Sequence, residues 1–237
     1  MSEHSATPAY RLLALDHEIA LDRAQERLRA EFVTVFDWDT VRHYLMSSYD
    51  EFAARSTVTL YLPTLAERFC RQRLEARARL EGKVARPQPT VLFLCTHNAG
   101  RSQIALGYFT QLARGRAVAW SGGSEPSAAL NPAVVEAMAE IGIDIADEYP
   151  KPWTDEIIAA ADIVITMGCG DICPLLPGPR YLEWIIEDPA GLEVDQVRPI
   201  RDEIGGRVVE LLAELGIVAS MPGQALEATG SAGAAAS

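Results

Sequence analysis

Residues 91–102 read Val91-Leu92-Phe93-Leu94-Cys95-Thr96-His97-Asn98-Ala99-Gly100-Arg101-Ser102. The apolar run up to Cys95 suits a strand buried on both faces, and a helical pattern begins at Ser102 and continues to Ala113. The residues between form a strand-to-helix turn, which is a cradle of phosphate size. Successive backbone N–H groups of such a turn converge on a tetrahedral anion, the helix N-terminus adds positive potential, and Arg101 offers a fork to two anion oxygens. Asn98 and Gly100 tolerate the backbone turns this requires. A cysteine at a helix N-terminus beside arginine favours its thiolate. Cys95 is therefore the candidate nucleophile, and Thr96, His97, Asn98, Ala99, Gly100, Arg101 and Ser102 are the candidate oxyanion contacts. The blander reading, a small core cysteine followed by a surface arginine, leaves the combined spacing unexplained.

Downstream, short apolar runs alternate with helical periodicity. Strands are expected at Thr90–Leu94, Val118–Ser121, Asp162–Met167 and Tyr181–Ile186, with helices at Ser102–Ala113, Pro132–Ile141, Thr154–Ala161 and Val194–Leu215. The fold class is α/β with a four-stranded parallel sheet. Upstream, three amphipathic stretches (9–30, Asp39–Ala54 and Leu60–Leu80) lack strands between them and predict a small all-α three-helix bundle. The expected organisation is a bundle over residues 1–82, a Gly- and Pro-containing linker over 83–89, an α/β domain over 90–218 and a disordered Ala/Gly/Ser-rich tail over 219–237.

At 237 residues and 49% hydrophobic the chain suits a buried core. No stretch reaches the roughly 18 apolar residues of a membrane span, and no signal-peptide pattern opens the chain, so a cytoplasmic protein with no membrane partner is expected. The net charge is −12, and the excess lies in residues 87–237, with 20 acidic and 8 basic side chains. Nucleic acid is a poor partner for such a surface, and an anionic substrate must be held by local donors rather than by the overall field. Four cysteines (Cys70, Cys95, Cys169 and Cys173) are too few for a disulfide scaffold, and in a reducing compartment they point to catalysis or metal binding.

Cys-x5-Arg-Ser between the first strand and first helix resembles the low-molecular-weight tyrosine phosphatase superfamily, and residues from about 89 to 218 follow its layout. The resemblance implies that Cys95 is the nucleophile, that Arg101 orients the oxyanion, that Ser102 hydrogen-bonds the thiolate and that Asn98 braces the loop. His97 falls at a variable position and is expected to be solvated. The phosphatases take a general acid from an Asp-Pro pair in a late loop, and Glu187-Asp188-Pro189-Ala190-Gly191 supplies Asp188. Standing alone, such an aspartate would read as a turn residue before proline.

Thr166-Met167-Gly168-Cys169-Gly170-Asp171-Ile172-Cys173-Pro174 adds two thiols that a phosphatase does not need. Together with Trp184, Asp188-Pro189-Ala190-Gly191, Arg198 and Arg201-Asp202-Glu203-Ile204, it resembles the arsenate reductases of the superfamily that are coupled to thioredoxin. That resemblance implies a relay in which Cys95 attacks arsenate, Cys169 attacks the adduct, and Cys173 then attacks Cys169 to leave a disulfide for thioredoxin. Phosphate and sulfate would compete as oxyanions. The alternatives are a tyrosine phosphatase using Cys95, Arg101 and Asp188, and an oxyanion or redox sensor whose bundle binds a partner. Inert thiols or a metal site also compete for Cys169 and Cys173, although Cys70 and His97 complete no four-ligand pattern. No cofactor is expected and no metal, since Leu106 stands where some members carry a potassium-binding glutamate.

The first 82 residues carry no catalytic constellation. They resemble the three-helix N-terminal extension of some actinobacterial members. Cys70 and His43 read as packing residues, and Arg68, Arg71, Arg73, Arg77 and Arg79 as either solvated or turned toward the acidic second half.

Overall fold

A computed structural model describes residues 8–55, 59–85, 88–168 and 175–219. The elements in chain order are α1 (Pro8–Glu31), α2 (Trp38–Ala53), α3 (Leu62–Leu80), β1 (Thr90–Cys95), α4 (Arg101–Ala113), β2 (Val118–Gly123), α5 (Pro132–Ala139), α6 (Asp155–Ala160), β3 (Ile163–Met167), β4 (Arg180–Glu183) and α7 (Val194–Glu214). The strands form one sheet in the order β2-β1-β3-β4, and every pair is parallel. This is the α/β architecture that the alternating pattern predicts. The expected tail lies outside the described residues from 220 onward, as do Cys169 and Cys173. No helix among the described residues is long and apolar enough to cross a membrane.

Strand β1 is buried along its whole length because it is central and covered on both faces. Side chains alternate across a strand, so its residues divide between two cores. Val91, Phe93 and Cys95 join α4, α5 and α7 in one core, which includes Ile104, Phe109, Val134 and Ile204. Leu92 and Leu94 face the other side, where they meet Trp120, Val164, Ile157 and Ile158 together with Phe52, Leu62, Phe69 and Ala76 of the N-terminal helices.

That second core makes α2 and α3 part of the sheet's covering layer. Helix α3 has two apolar stripes. Ala66, Cys70, Leu74 and Ala78, four residues apart, close the bundle's own core with Leu28, Val41 and Leu45. Leu62, Phe69 and Ala76, seven apart, lie on the sheet side. The arginines divide in the same way. Arg71 pairs with Glu31 and Glu67 inside the bundle, whereas Arg73 pairs with Glu156 of α6 at 2.6 Å and Arg79 donates to the Thr90 hydroxyl.

Most boundaries move by one or two residues from the sequence reading, and two of the shifts have a clear cause. Strand β4 stops at Glu183 rather than Ile186, because its partner β3 runs out at Met167. Beyond it Trp184 and Ile186 turn into the first core while Ile185 stays exposed. Helix α5 stops at Ala139 rather than Ile141, where Gly142 takes a left-handed φ of 75° and Ile143 donates back to the Met138 carbonyl.

Because Phe69 is fully buried in the shared core, Phe69→Ala is expected to cost about 3–5 kcal/mol. Urea unfolding followed by helix signal and by tryptophan fluorescence should shift together. A shift confined to the helix signal would mean that bundle and sheet do not share a core.

Candidate active site

The loop Thr96–Gly100 leaves the C-terminal end of the central strand, the usual ligand position of a parallel sheet. Its carbonyls are all engaged outward. Those of Thr96, His97 and Ala99 accept from the backbone N–H groups of Glu125, Ser127 and Asn131 at 2.8–3.0 Å, and that of Asn98 accepts from the Gln103 amide at 2.9 Å. The chain contains no cis peptide, and in a trans peptide the N–H of the next residue points opposite to the carbonyl. The N–H groups of His97, Asn98, Ala99 and Gly100 are thus turned away from those partners. The arrangement suits an oxyanion.

Two residues permit the loop's path. Asn98 takes the left-handed conformation, with φ 48°. Gly100 serves a close approach as well as the turn. A Cβ there would lie 2.7 Å from Pro189 Cγ, and the missing side chain lets the Asp188–Pro189 loop sit directly on the cradle.

The hydrogen bonds around Cys95 have a defined direction. The Lys151 backbone N–H and the Gln103 amide both donate to Asn98 Oδ1, at 3.0 and 3.1 Å. Asn98 Nδ2 therefore points to Ser102 and donates to its hydroxyl oxygen at 2.8 Å. With that oxygen already accepting, the Ser102 proton is free to point at Cys95 Sγ, 3.0 Å away. The relay presents a donor to sulfur, which is the polarity a thiolate requires. Cys95 is buried and free.

Arg101 is buried, and its guanidinium donates to Asp188 Oδ2 at 2.6 Å and to the Ile186 carbonyl at 3.4 Å. Asp188 is exposed, and its second oxygen accepts from the Ala190 N–H at 3.1 Å. Gly168, with φ 70°, packs against the guanidinium so closely that a Cβ would stand 2.6 Å from Arg101 Nη1. The Thr96 hydroxyl donates to the Gly168 carbonyl at 3.0 Å. His97 is exposed and hydrogen-bonds the Glu125 carbonyl through Nδ1. A cleft of 580 Å³ opens beside the cradle, lined by His97, Gly100, Asn131 and Pro189, with Glu136, Asp188 and Glu193 as its charged residues.

Cys95, Arg101 and Asp188 thus come together with the loop residues 96–102. Arg198 and Arg201 do not join them; they hold α7 to α5 through Glu140 and the Ala137 carbonyl. One contributor escaped the sequence reading. Asn131 caps α5 through Ala133, while its side chain donates to the Pro189 carbonyl at 2.9 Å and its backbone to Ala99. Asn before Pro at a helix start marks a cap, but its bridge between cradle and acid loop arises only in three dimensions.

Cys70 has a different environment. Burial pushes its thiol up to about 12, so it stays protonated at neutral pH. Under native conditions iodoacetamide should modify Cys95 and spare Cys70 until the chain unfolds, as read by peptide mapping.

Residues 90–219 match the low molecular weight phosphotyrosine protein phosphatase family, and residues 21–78 match a domain described as the protein-tyrosine-phosphatase-like N-terminal domain. Arsenate reductase 1 of Staphylococcus haemolyticus is 35% identical over 125 residues, spanning 51% of this chain and 92% of that protein. Arsenate reductase 1 of Bacillus cereus is 37% identical over 123 residues, spanning 50% and 90%. The structure of a thioredoxin-dependent arsenate reductase of Corynebacterium glutamicum superposes with a TM-score of 0.76 at 42% identity, covering 84% of this chain and 98% of that one. With its cysteine cradle, its parallel sheet and a family match over more than half its length, this chain belongs to the low molecular weight phosphotyrosine protein phosphatase family.

Proposed function

We propose that the protein reduces arsenate to arsenite by a three-cysteine relay re-reduced by thioredoxin, as its resemblance to the Corynebacterium enzyme suggests. The observation that carries this reading is the position of Gly168. It touches both Thr96 and Arg101, and Cys169 follows it directly in the chain. Gly168, the last described residue before Cys169, thus lies at the edge of the nucleophile's cradle.

In this reading the cradle N–H groups and Arg101 bind arsenate. The Cys95 thiolate attacks arsenic and displaces one oxygen as water, with Asp188 giving the proton. Cys169 thiolate then attacks Cys95 Sγ. The S–As bond breaks, its electron pair stays on arsenic, and arsenite leaves as the Cys95–Cys169 disulfide forms. Cys173 thiolate attacks Cys169, which frees Cys95 and leaves a Cys169–Cys173 disulfide. Thioredoxin's dithiol returns the two electrons. A chain that depends on free thiols suits the reducing cytoplasm.

The cleft supports a free oxyanion over a phosphorylated polypeptide. Among the described residues its lining has three carboxylates and no lysine or arginine, and carboxylates repel an acidic polypeptide.

Arsenate-dependent NADPH oxidation with thioredoxin and thioredoxin reductase tests the relay. Turnover should fall to background in Cys169→Ser and in Cys173→Ser, with weak aryl phosphate hydrolysis. Brisk hydrolysis that survives Cys169→Ser, without arsenate turnover, would make the protein a phosphatase.

Asp188→Asn separates the aspartate's two contacts. Loss of the proton donor should lower kcat by about 100-fold, while loss of the charge paired with Arg101 should leave KM for arsenate equal or lower. A raised KM with unchanged kcat would contradict the proton-donor role.

A further inference from the structure

The relay that aims a proton at Cys95 does not end inside the catalytic loop. It begins at the Lys151 N–H, the last residue of a strap running from Asp147 through Glu148, Tyr149 and Pro150. This strap carries no regular secondary structure, so its position is set by what it touches.

Much of that contact comes from the N-terminal helices. Arg68 of α3 donates through Nη1 to the Asp147 carbonyl at 2.6 Å. Its guanidinium carbon lies 4.5 Å from the centre of the Tyr149 ring, and Nη2 approaches Glu148 Oε1 at 3.9 Å. Phe52 of α2 also packs against the ring, at 5.8 Å, and is itself edge-on to Phe69 at 5.5 Å, while Lys151 Nζ lies 4.6 Å from the ring centre. Toward the site, the Tyr149 carbonyl accepts from Gln103 at 3.4 Å, and the Lys151 carbonyl accepts from Gly123 at 3.0 Å.

We infer that Arg68 is a positioning residue for the nucleophile: by holding the 147–149 strap it fixes the Lys151 N–H, and so orients Asn98, Ser102 and the donor to Cys95. The N-terminal helical layer is on this account a working part of the site, though none of its atoms touches the oxyanion. The guanidinium suits the task because a single planar group satisfies a carbonyl, faces an aromatic ring and approaches a carboxylate at once. Lysine has neither the fork nor the plane. The inference concerns the reactivity of Cys95 and holds whichever oxyanion is turned over.

The test compares Arg68→Ala with Arg71→Ala in the full reduced chain. Arg71 lies on the same helix and loses an equal charge, but its partners Glu31 and Glu67 belong to the bundle. The rate of iodoacetamide modification at Cys95 is read by peptide mapping at pH 7 and normalised to the folded fraction from a thermal melt. Arg68→Ala should slow the reaction by about threefold to tenfold, the weight of one loosened hydrogen bond, while Arg71→Ala should not change it. Equal rates in Arg68→Ala and the parent, or equal slowing in both variants, would overturn the assignment. If Arg68→Ala does not fold, Arg68→Gln, which keeps the packed stem and removes the charge, takes its place in the same comparison.

Discussion

The outward anchoring of four consecutive carbonyls, from Thr96 to Asn98 and Ala99, is the constraint on which the site depends. Three parts of the fold hold them: the segment after β2 takes the first two, Gln103 of α4 the third and the start of α5 the fourth. Because peptides are planar and trans, fixing the carbonyls fixes the intervening N–H groups. A loop of polar and small residues thereby acquires a defined row of N–H groups without forming regular structure. An unliganded cluster of aligned N–H groups is intrinsically unfavourable, and the surrounding hydrogen bonds offset its cost.

The two described thiols show how strongly environment sets chemistry. Cys70 and Cys95 are both buried and both free. Cys70 sits among Leu74, Ala66 and Ala78, where burial outweighs the nearby Arg73 and Arg71, and it is a packing residue. Cys95 sits at the mouth of a helix with a hydroxyl donor aimed at sulfur. Accessible surface does not distinguish the two residues, whereas the direction of the neighbouring dipoles does.

Much of this was legible in the order of residues. The unbroken apolar run before Cys95 marks a central strand, and the observed elements follow the predicted ones closely because their periodicity and caps agree with the tertiary fold. Cys95, Arg101 and Asp188 were legible from motif spacing, and the structure brings all three together. What the sequence concealed are contacts between distant segments. Gly100 looks like a turn glycine and also makes room for the close approach of Pro189. Asn131 looks like a cap and is also a bridge. The arginines of α3 read as either solvated or turned toward the acidic half, and sequence does not say which: Arg68, Arg73 and Arg79 turn to that half while Arg71 stays within the bundle. Periodicity reports which side of a helix is apolar, but it does not report which neighbour will cover it.

The central claim is that the cradle serves a redox relay rather than hydrolysis, and a single turnover tests it most directly. Fully reduced protein, freed of all reductant, is mixed with excess arsenate, and arsenite and disulfides are then quantified, the latter by non-reducing peptide mapping. A relay yields about one arsenite per chain, a Cys169–Cys173 disulfide, and Cys95 returned to the free thiol. Unchanged arsenate with all thiols still reduced would contradict it.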